Sequence, residues 1–301
     1  MWSALSLTLA LAAVAPQGRP FFELSELEIG DELRRIHEEH PDFDERIDQI
    51  SARFLGTAYR LGPLGEGLTG LFDREPLISF REVDCTTLVE QVMALSLSAN
   101  LTRAVELLQR IRYLEGDIAY ESRNHFPEAD WIPNNIKAGF LTDVTRQVAG
   151  PSTRMAAKTI RKRSWYESKG ISDLQGWPAA DEARKPQALE RLRSLGARYQ
   201  DRRYELPYLP IESLERALPR IRSGTIANLV RADRPEIPVL ISHQVLLIRR
   251  GPSLVVRHAA QGRGVEDVPI LDYFGRYKGS KWPLLGLNLN RVRQPPKSKK
   301  K

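Results

Sequence analysis

The feature that most restricts the fold lies towards the C-terminal end. Two alternating apolar runs flank a short turn: Val239-Leu-Ile-Ser-His243-Gln-Val-Leu-Leu-Ile248, then Arg-Arg-Gly-Pro, then Ser253-Leu-Val-Val-Arg-His258-Ala-Ala260. A period of two on both sides of a Gly-Pro turn reads as an antiparallel hairpin with one buried face. Centring the turn on Arg250-Gly251 sets His243 opposite His258, Val245 opposite Val256 and Leu247 opposite Leu254. Opposed residues have Cβ atoms roughly 5 Å apart, so one imidazole can orient the other through a hydrogen bond. Ser242 projects to the other face of its strand and forms no dyad with His243.

Strand patterns continue around the hairpin, at 225–231, 239–249, 253–260, 264–270 and 284–291. The first half of the chain is helical instead. Phe43, Ile47, Ile50 and Phe54 form one stripe, and Val105, Leu108 and Ile111 another. His37 and His40, among charges before Pro41, read as exposed. Helices followed by strands predict an α+β fold, with one antiparallel sheet packed on helices.

The only cysteine of the 301 residues, Cys85, opens one of those helices. Leu88, Val89, Val92, Met93 and Leu95 follow at helical spacing, and Asp84 suits the N-cap. Backbone N–H groups and the helix dipole favour an anion at that position, and the thiolate is the nucleophilic form of cysteine. A lone cysteine by itself reads more often as a small buried hydrophobe. Together with two histidines on one face it supplies a nucleophile, a base and a group that orients the base: Cys85, His243 and His258.

Phe54-Leu-Gly-Thr-Ala-Tyr59, Asp84-Cys85 opening a helix, Ser242-His243 on a strand and His258-Ala259 on the next resemble the NlpC/P60 cysteine peptidases and amidases. Within them, Arg123-Asn-His-Phe126, Asp130-Trp-Ile132, Asn134-Asn135 and Gly139-Phe-Leu-Thr-Asp-Val-Thr145 resemble the DUF1460 branch, the N-acetylmuramoyl-L-alanine amidase-like proteins. The resemblance runs from about residue 54 to about residue 290 and thins over 151–221. It implies a papain-like fold, no cofactor or metal, and peptidoglycan or its fragments as substrate, with the bond between the muramic acid lactyl group and L-alanine favoured. A γ-D-glutamyl endopeptidase, an acyltransferase of the same fold and a non-catalytic wall-binding protein stay open. The chain departs from the family pattern at Gln244, Val245, Ala260 and Thr225. These positions bear on packing near the site and leave Cys85, His243 and His258 in place.

Candidate substrate-binding residues come from the loops. Tyr59 offers a hydroxyl towards the reacting carbonyl or else packs beneath its loop, and Asp84 stands beside the cysteine. Between Gly116 and Asn135 a polar, aromatic and irregular stretch carries Asn124, His125, Trp131 and Asn134, as expected for a groove lining. His125 is the alternative third catalytic group.

The ends of the chain concern location. Residues 1–15 hold an uncharged apolar run ending in Ala13-Val14-Ala15, which suits a signal peptide and is too short for a membrane span, although the charged n-region is missing. Export to the periplasm or cell envelope follows, with the mature domain over 16–294. Residues 151–221 read as a basic, helical insertion, with Leu189, Leu192 and Leu195 on the inner side of one helix. Residues 295–301 read as a disordered basic tail, whose four lysines take the formal net charge from +7 to +3 when removed. Nucleic-acid reader motifs, phosphate-binding glycine loops and metal-type Cys/His clusters are missing from the sequence. The basic segments predict at most attraction to anionic wall polymer or membrane surface.

Overall fold

The structure, a computed structural model, describes residues 18–293. The signal peptide and the basic tail expected from sequence lie outside the described residues. Helices α1 (Glu26–Glu39) and α2 (Phe43–Ala52) come first, followed by short parallel strands β1 (Ala58–Tyr59) and β2 (Glu82–Val83). Helices α3 (Cys85–Leu97) and α4 (Leu101–Arg112) lead to α5 (Ile132–Lys137), β3 (Leu141–Asp143) and α6 (Thr145–Ala149). The middle holds β4 (Arg154–Ile160), α7 (Lys162–Glu167), α8 (Lys185–Ser194), β5 (Arg202–Pro210) and α9 (Leu214–Ala217). The chain closes with β6 (Thr225–Arg231), β7 (Ile241–Arg250), β8 (Ser253–Ala260), β9 (Gly264–Pro269), α10 (Ile270–Gly275) and β10 (Leu284–Val292).

Eight strands build one sheet in the order β4-β5-β10-β6-β7-β8-β9, with β3 also on β10, and every pair is antiparallel. The expected α+β architecture is therefore present. One face packs on α3 through Leu246, Ile248, Val230 and Ala259. The other carries Val245, Leu247, Leu254 and Val256 and is covered from α10 by Tyr273 and Phe274. Helix α3 is buried on nearly all sides, as its apolar sequence requires. Its polar Glu90 is held by Arg112 and by the Trp131 indole, and Gln91 accepts the Ser79 amide.

Three expectations need correction. The 151–221 segment is not a helical insertion. Helix α8 buries Leu189 and Leu192, with Leu195 just beyond it, as predicted, but β4 and β5 pair along their length and extend the central sheet. His37 is half-buried, with Nε2 2.8 Å from the Leu95 carbonyl oxygen, because α1 lies against the end of α3. Among the described residues no helix is long and apolar enough to cross a membrane.

The hairpin register is shifted by two residues from expectation: Leu247 pairs with Val256 and Arg250 with Ser253. The turn residues are thus Gly251 and Pro252, with Gly251 at φ +58°. The physical reason is proline, which has no N–H for a ladder and whose fixed φ suits the second turn position after a positive-φ glycine. A shift of two keeps both histidines on one face, whereas a shift of one would have separated them.

Gly264 joins the sheet to the loop before the site. At φ +85°, it brings its backbone against residue 57, where a Cβ would lie 2.5 Å from the Thr57 carbonyl oxygen. Flanking bonds run from the Gly56 amide to Val265 O and from the Val265 amide to Thr57 O, and they dock the segment that carries Tyr59. Gly264→Ala is expected to destabilise by roughly 2 kcal/mol or more through left-handed backbone and steric displacement. A fall in the urea midpoint together with activity checks this.

Candidate active site

Cys85 is the first residue of α3, and Asp84 caps the helix. Asp84 Oδ1 accepts the Thr87 amide at 2.8 Å, while the Thr87 hydroxyl accepts the Asp84 amide at 2.8 Å. Its second oxygen accepts the Gly62 amide at 2.9 Å. Asp84 therefore ties the helix start to the loop after β1, and both of its oxygens are committed to backbone. This corrects its place among substrate contacts.

On the sheet, Asn228 pairs with Gln244 and Val230 with Ile241, so Ser242 and His243 together oppose Leu229. This β-bulge moves Ile241 into the core under α3 while Val245 stays on the α10 side. Bulges beside sites re-aim a side chain in this way. His243 Nε2 lies 3.1 Å from His258 Nδ1, with the rings nearly perpendicular at 86°. The pair is diagonal rather than directly opposed. Directly across from His258 is Glu266 on β9, with His258 Nε2 and Glu266 Oε1 3.4 Å apart. Tyr273 packs edge-on against His258, its centroid 4.7 Å away.

The Gln244 backbone amide lies close enough to the Cys85 sulfur to favour its thiolate, which places the thiol beside the bulge that carries His243. Tyr59 is half-buried next to it: burial first, then the charges of Cys85 and Asp84, raise its hydroxyl pKa. Burial and the Asp84 carboxylate push the thiol up to about 11, against the Gln244 and Thr86 hydrogen bonds. The helix start alone therefore does not leave a resting thiolate, contrary to expectation. Burial pulls His243 down to about 4. Burial and then His243 pull His258 to about 4, with Glu266 opposing. At neutral pH the site holds a thiol and two neutral imidazoles.

Both rings titrate below their ordinary value of 6.5 when folded, so between pH 6.5 and about 4 the unfolded chain binds more protons. Stability from the neutral rings is complete above pH 6.5 and is lost as the pH falls through 4. The expected loss is on the order of 3 kcal/mol for each ring. Urea unfolding at neutral pH and at pH 4 measures it, and His243→Gln should show a smaller drop.

The 116–135 segment sits elsewhere. Trp131 is 1% exposed, with its indole N–H donating to Glu90 at 3.0 Å, so it belongs to the core rather than to a groove. His125 packs among Tyr120, Trp165 and Tyr166, with Nε2 2.8 Å from the Tyr120 carbonyl oxygen. His258, not His125, contacts His243. Asn134 donates to Asn124 at 2.7 Å, and both line a cavity of about 310 Å³ with Tyr113, Lys137 and Phe140. Cys85 and His243 are not among that cavity's lining residues. Among the described residues no group of three or more His, Cys, Asp or Glu side chains is placed to hold a metal.

The N-acetylmuramoyl-L-alanine amidase-like (AmiA-like) family pattern matches residues 49–280, which spans the Tyr59 loop, Cys85 and both histidine strands. The chain belongs to that family. The amidase-like chain is similar to a Legionella pneumophila protein of the DUF1460 family: 29% identity over 89% of this chain and 95% of that one, TM-score 0.81. It is also similar to an N-acetylmuramoyl-L-alanine amidase from Bacteroides uniformis, at 25% identity over 83% of this chain and 99% of that one, TM-score 0.61. A Bacteroides fragilis protein named as a xylanase matches at 26% identity over 80% and 98% of the two chains, TM-score 0.59. Gln244, where this amidase-like chain departs from the expected pattern, is buried and donates to Asn228 at 2.8 Å. Val245 and Ala260 are buried apolar residues. Packing absorbs Val245 and Ala260, and the Thr225 hydroxyl donates to the Arg222 carbonyl oxygen at 2.7 Å, whereas the side-chain oxygen of Gln244 is buried with no hydrogen-bond partner among the described residues.

Proposed function

We propose that this protein is an exported cysteine amidase of papain-like, NlpC/P60 type that cuts the amide between the muramic acid lactyl group and L-alanine in peptidoglycan or its fragments. The observation that carries the chemistry is the His243–His258 contact beside a thiol at a helix start. Substrate class follows the family and its amidase-named relative. Export rests on the apolar run ending in Ala13-Val14-Ala15.

With Nε2 of His243 turned to His258, Nδ1 is the nitrogen left for the thiol. As the Cys85 sulfur attacks the carbonyl carbon, its proton passes to His243 Nδ1. The Cys85 amide at the helix start and the Tyr59 hydroxyl are the donors available for the oxyanion. Collapse breaks the C–N bond, and the imidazolium gives its proton to the departing L-alanine nitrogen. That leaves a thioester. A water, deprotonated by the same His243, then attacks the thioester carbonyl. The carboxylic acid departs, and the thiol regains the proton.

Glycoside hydrolysis, suggested by the xylanase name, needs two carboxylates flanking the scissile bond. Here Asp84 is committed to the Thr87 and Gly62 amides, and Glu266 faces His258 and Arg263. Mass spectrometry of muropeptides after incubation tests the reading. Peptides beginning with free L-alanine, together with peptide-free glycan, are expected. Cleavage at the γ-D-glutamyl bond would move the specificity, and unchanged muropeptides would refute the activity.

A further inference from the structure

His258 has two ring nitrogens and each faces a different partner. Nδ1 is 3.1 Å from His243 Nε2, and Nε2 is 3.4 Å from Glu266 Oε1. A neutral imidazole carries one proton, so the ring has two tautomers. With the proton on Nδ1, His258 donates to His243 Nε2, and the single proton of His243 then sits on Nδ1. That tautomer of His243 presents an N–H to the thiol and is no base. With the proton on Nε2, His258 accepts through Nδ1 from His243 Nε2–H, and the lone pair of His243 Nδ1 is free. The local hydrogen bond between the rings is satisfied either way.

What separates the two states is the carboxylate. Placed against an unprotonated Nε2, Glu266 would set two lone pairs against each other at a ring 4% exposed, where an unmade polar contact is expensive. Placed against Nε2–H at 3.4 Å, the carboxylate faces the positive end of the N–H dipole; neither atom has another hydrogen-bond partner among the described residues, and a small approach of the two would close the bond between them. Glu266 is fixed for this role by its register directly across from His258 and by Arg263, whose Nη2 is 2.9 Å from the same oxygen.

The geometry points to Glu266 as a positioning residue, which by holding the Nε2 proton of His258 sets the tautomers of both rings and leaves His243 Nδ1 unprotonated towards Cys85. It deepens the proposed cysteine mechanism and rests on that reading only for its kinetic consequence. The charged and titratable groups facing His258 are His243 on β7, Glu266 on β9, Arg263 in the β8–β9 turn and Arg276 and Tyr273 at α10. The two arginines oppose protonation of the ring, and the carboxylate supports it.

Two variants and one spectroscopic readout test this. Two-bond ¹H–¹⁵N correlation NMR of the unliganded protein reads histidine tautomers directly, so it stands independently of which residue is the nucleophile. The wild type should show His258 protonated at Nε2 and His243 at Nε2. Glu266→Leu should shift His258 towards Nδ1–H and lower kcat by about 10- to 100-fold with KM little changed, the range found when a group orienting a histidine is removed. Glu266→Gln, whose carboxamide oxygen still accepts from Nε2–H, should keep the wild-type tautomer and most of kcat. Arg263→Ala, which removes the ion pair that helps to fix Glu266 but leaves the carboxylate across from His258, should keep the wild-type tautomer and lose less kcat than Glu266→Leu. Wild-type His258 protonated at Nδ1, a tautomer unmoved by Glu266→Leu, or equal losses in Glu266→Leu, Glu266→Gln and Arg263→Ala would each overturn the assignment. Full activity in Cys85→Ser with the tautomers as stated would defeat the cysteine reading and leave the Glu266 assignment standing.

Discussion

Cys85→Ser will remove hydrolysis, lowering kcat by roughly ten-thousand-fold or more while the far-UV circular dichroism and the urea midpoint stay near wild type. The change is nearly isosteric, and the helix start that holds residue 85 is built from Asp84, Thr87 and Gly62, none of which contacts the sulfur as a required partner. A serine hydroxyl there faces the same burial and the same Asp84 carboxylate that push the thiol up to about 11. It starts from a far higher pKa, so proton transfer to a neutral imidazole is uphill by several more units. Turnover retained in a folded Cys85→Ser protein would remove the thiol from the mechanism.

His243→Ala should be the next most damaging change, with kcat down roughly a thousandfold, since no other ring nitrogen replaces Nδ1. Because His243 is held near 4 and is neutral at rest, its loss should leave the thiol titrating high and little moved. A resting ion pair would instead show the thiol pKa rising. His258 acts through His243, so its variants should be graded: within about tenfold of wild type for His258→Asn or His258→Gln, which still accept from Nε2–H, and nearer a hundredfold loss for His258→Ala. Adding His258→Ala to His243→Ala should have little further effect, because groups acting as one unit are non-additive. Steady-state kinetics with thiol titration by iodoacetamide decides among these. A dead His125→Ala beside an active His258→Ala would transfer the third role to the aromatic cluster around Tyr120.

Parts of this arrangement are legible in sequence because they obey local rules. Alternation at 225–231 and 253–260 marks strands with the same limits as β6 and β8, and the Asp84-Cys85 helix start follows from capping and apolar spacing. Both histidines fall on one face since face depends on parity, which survived the two-residue shift of register. The shift itself was signalled by Pro252, which suits a turn better than a ladder. The bulge at Ser242–His243 is set by pairing across β6 and has no local signature. Glu266 was visible in principle, eight residues beyond His258 across a Gly262-x-Gly264 turn, but acidic residues on an edge strand ordinarily face solvent. Strand β4 escaped notice because its inward positions are Ala156, Lys158 and Ile160, and a lysine hides the alternation. Lys158 is buried against Asp233 and the Arg234 carbonyl. Trp131 resembled a groove aromatic by composition, yet its partner Glu90 lies forty-one positions away on α3, beyond any local pattern.

The measurement that bears most directly on the central claim is acid-quenched mass spectrometry of the enzyme during a single turnover with a muropeptide. A thioester intermediate carries the acyl half of the substrate, so one adduct reports both the nucleophile and the bond. The expected result is an adduct on the peptide containing Cys85 whose mass corresponds to the muramoyl group without any amino acid, rising and decaying as peptides with free L-alanine accumulate. An acyl group on another residue, or product formed at every quench time with the Cys85 peptide unmodified, would contradict the account.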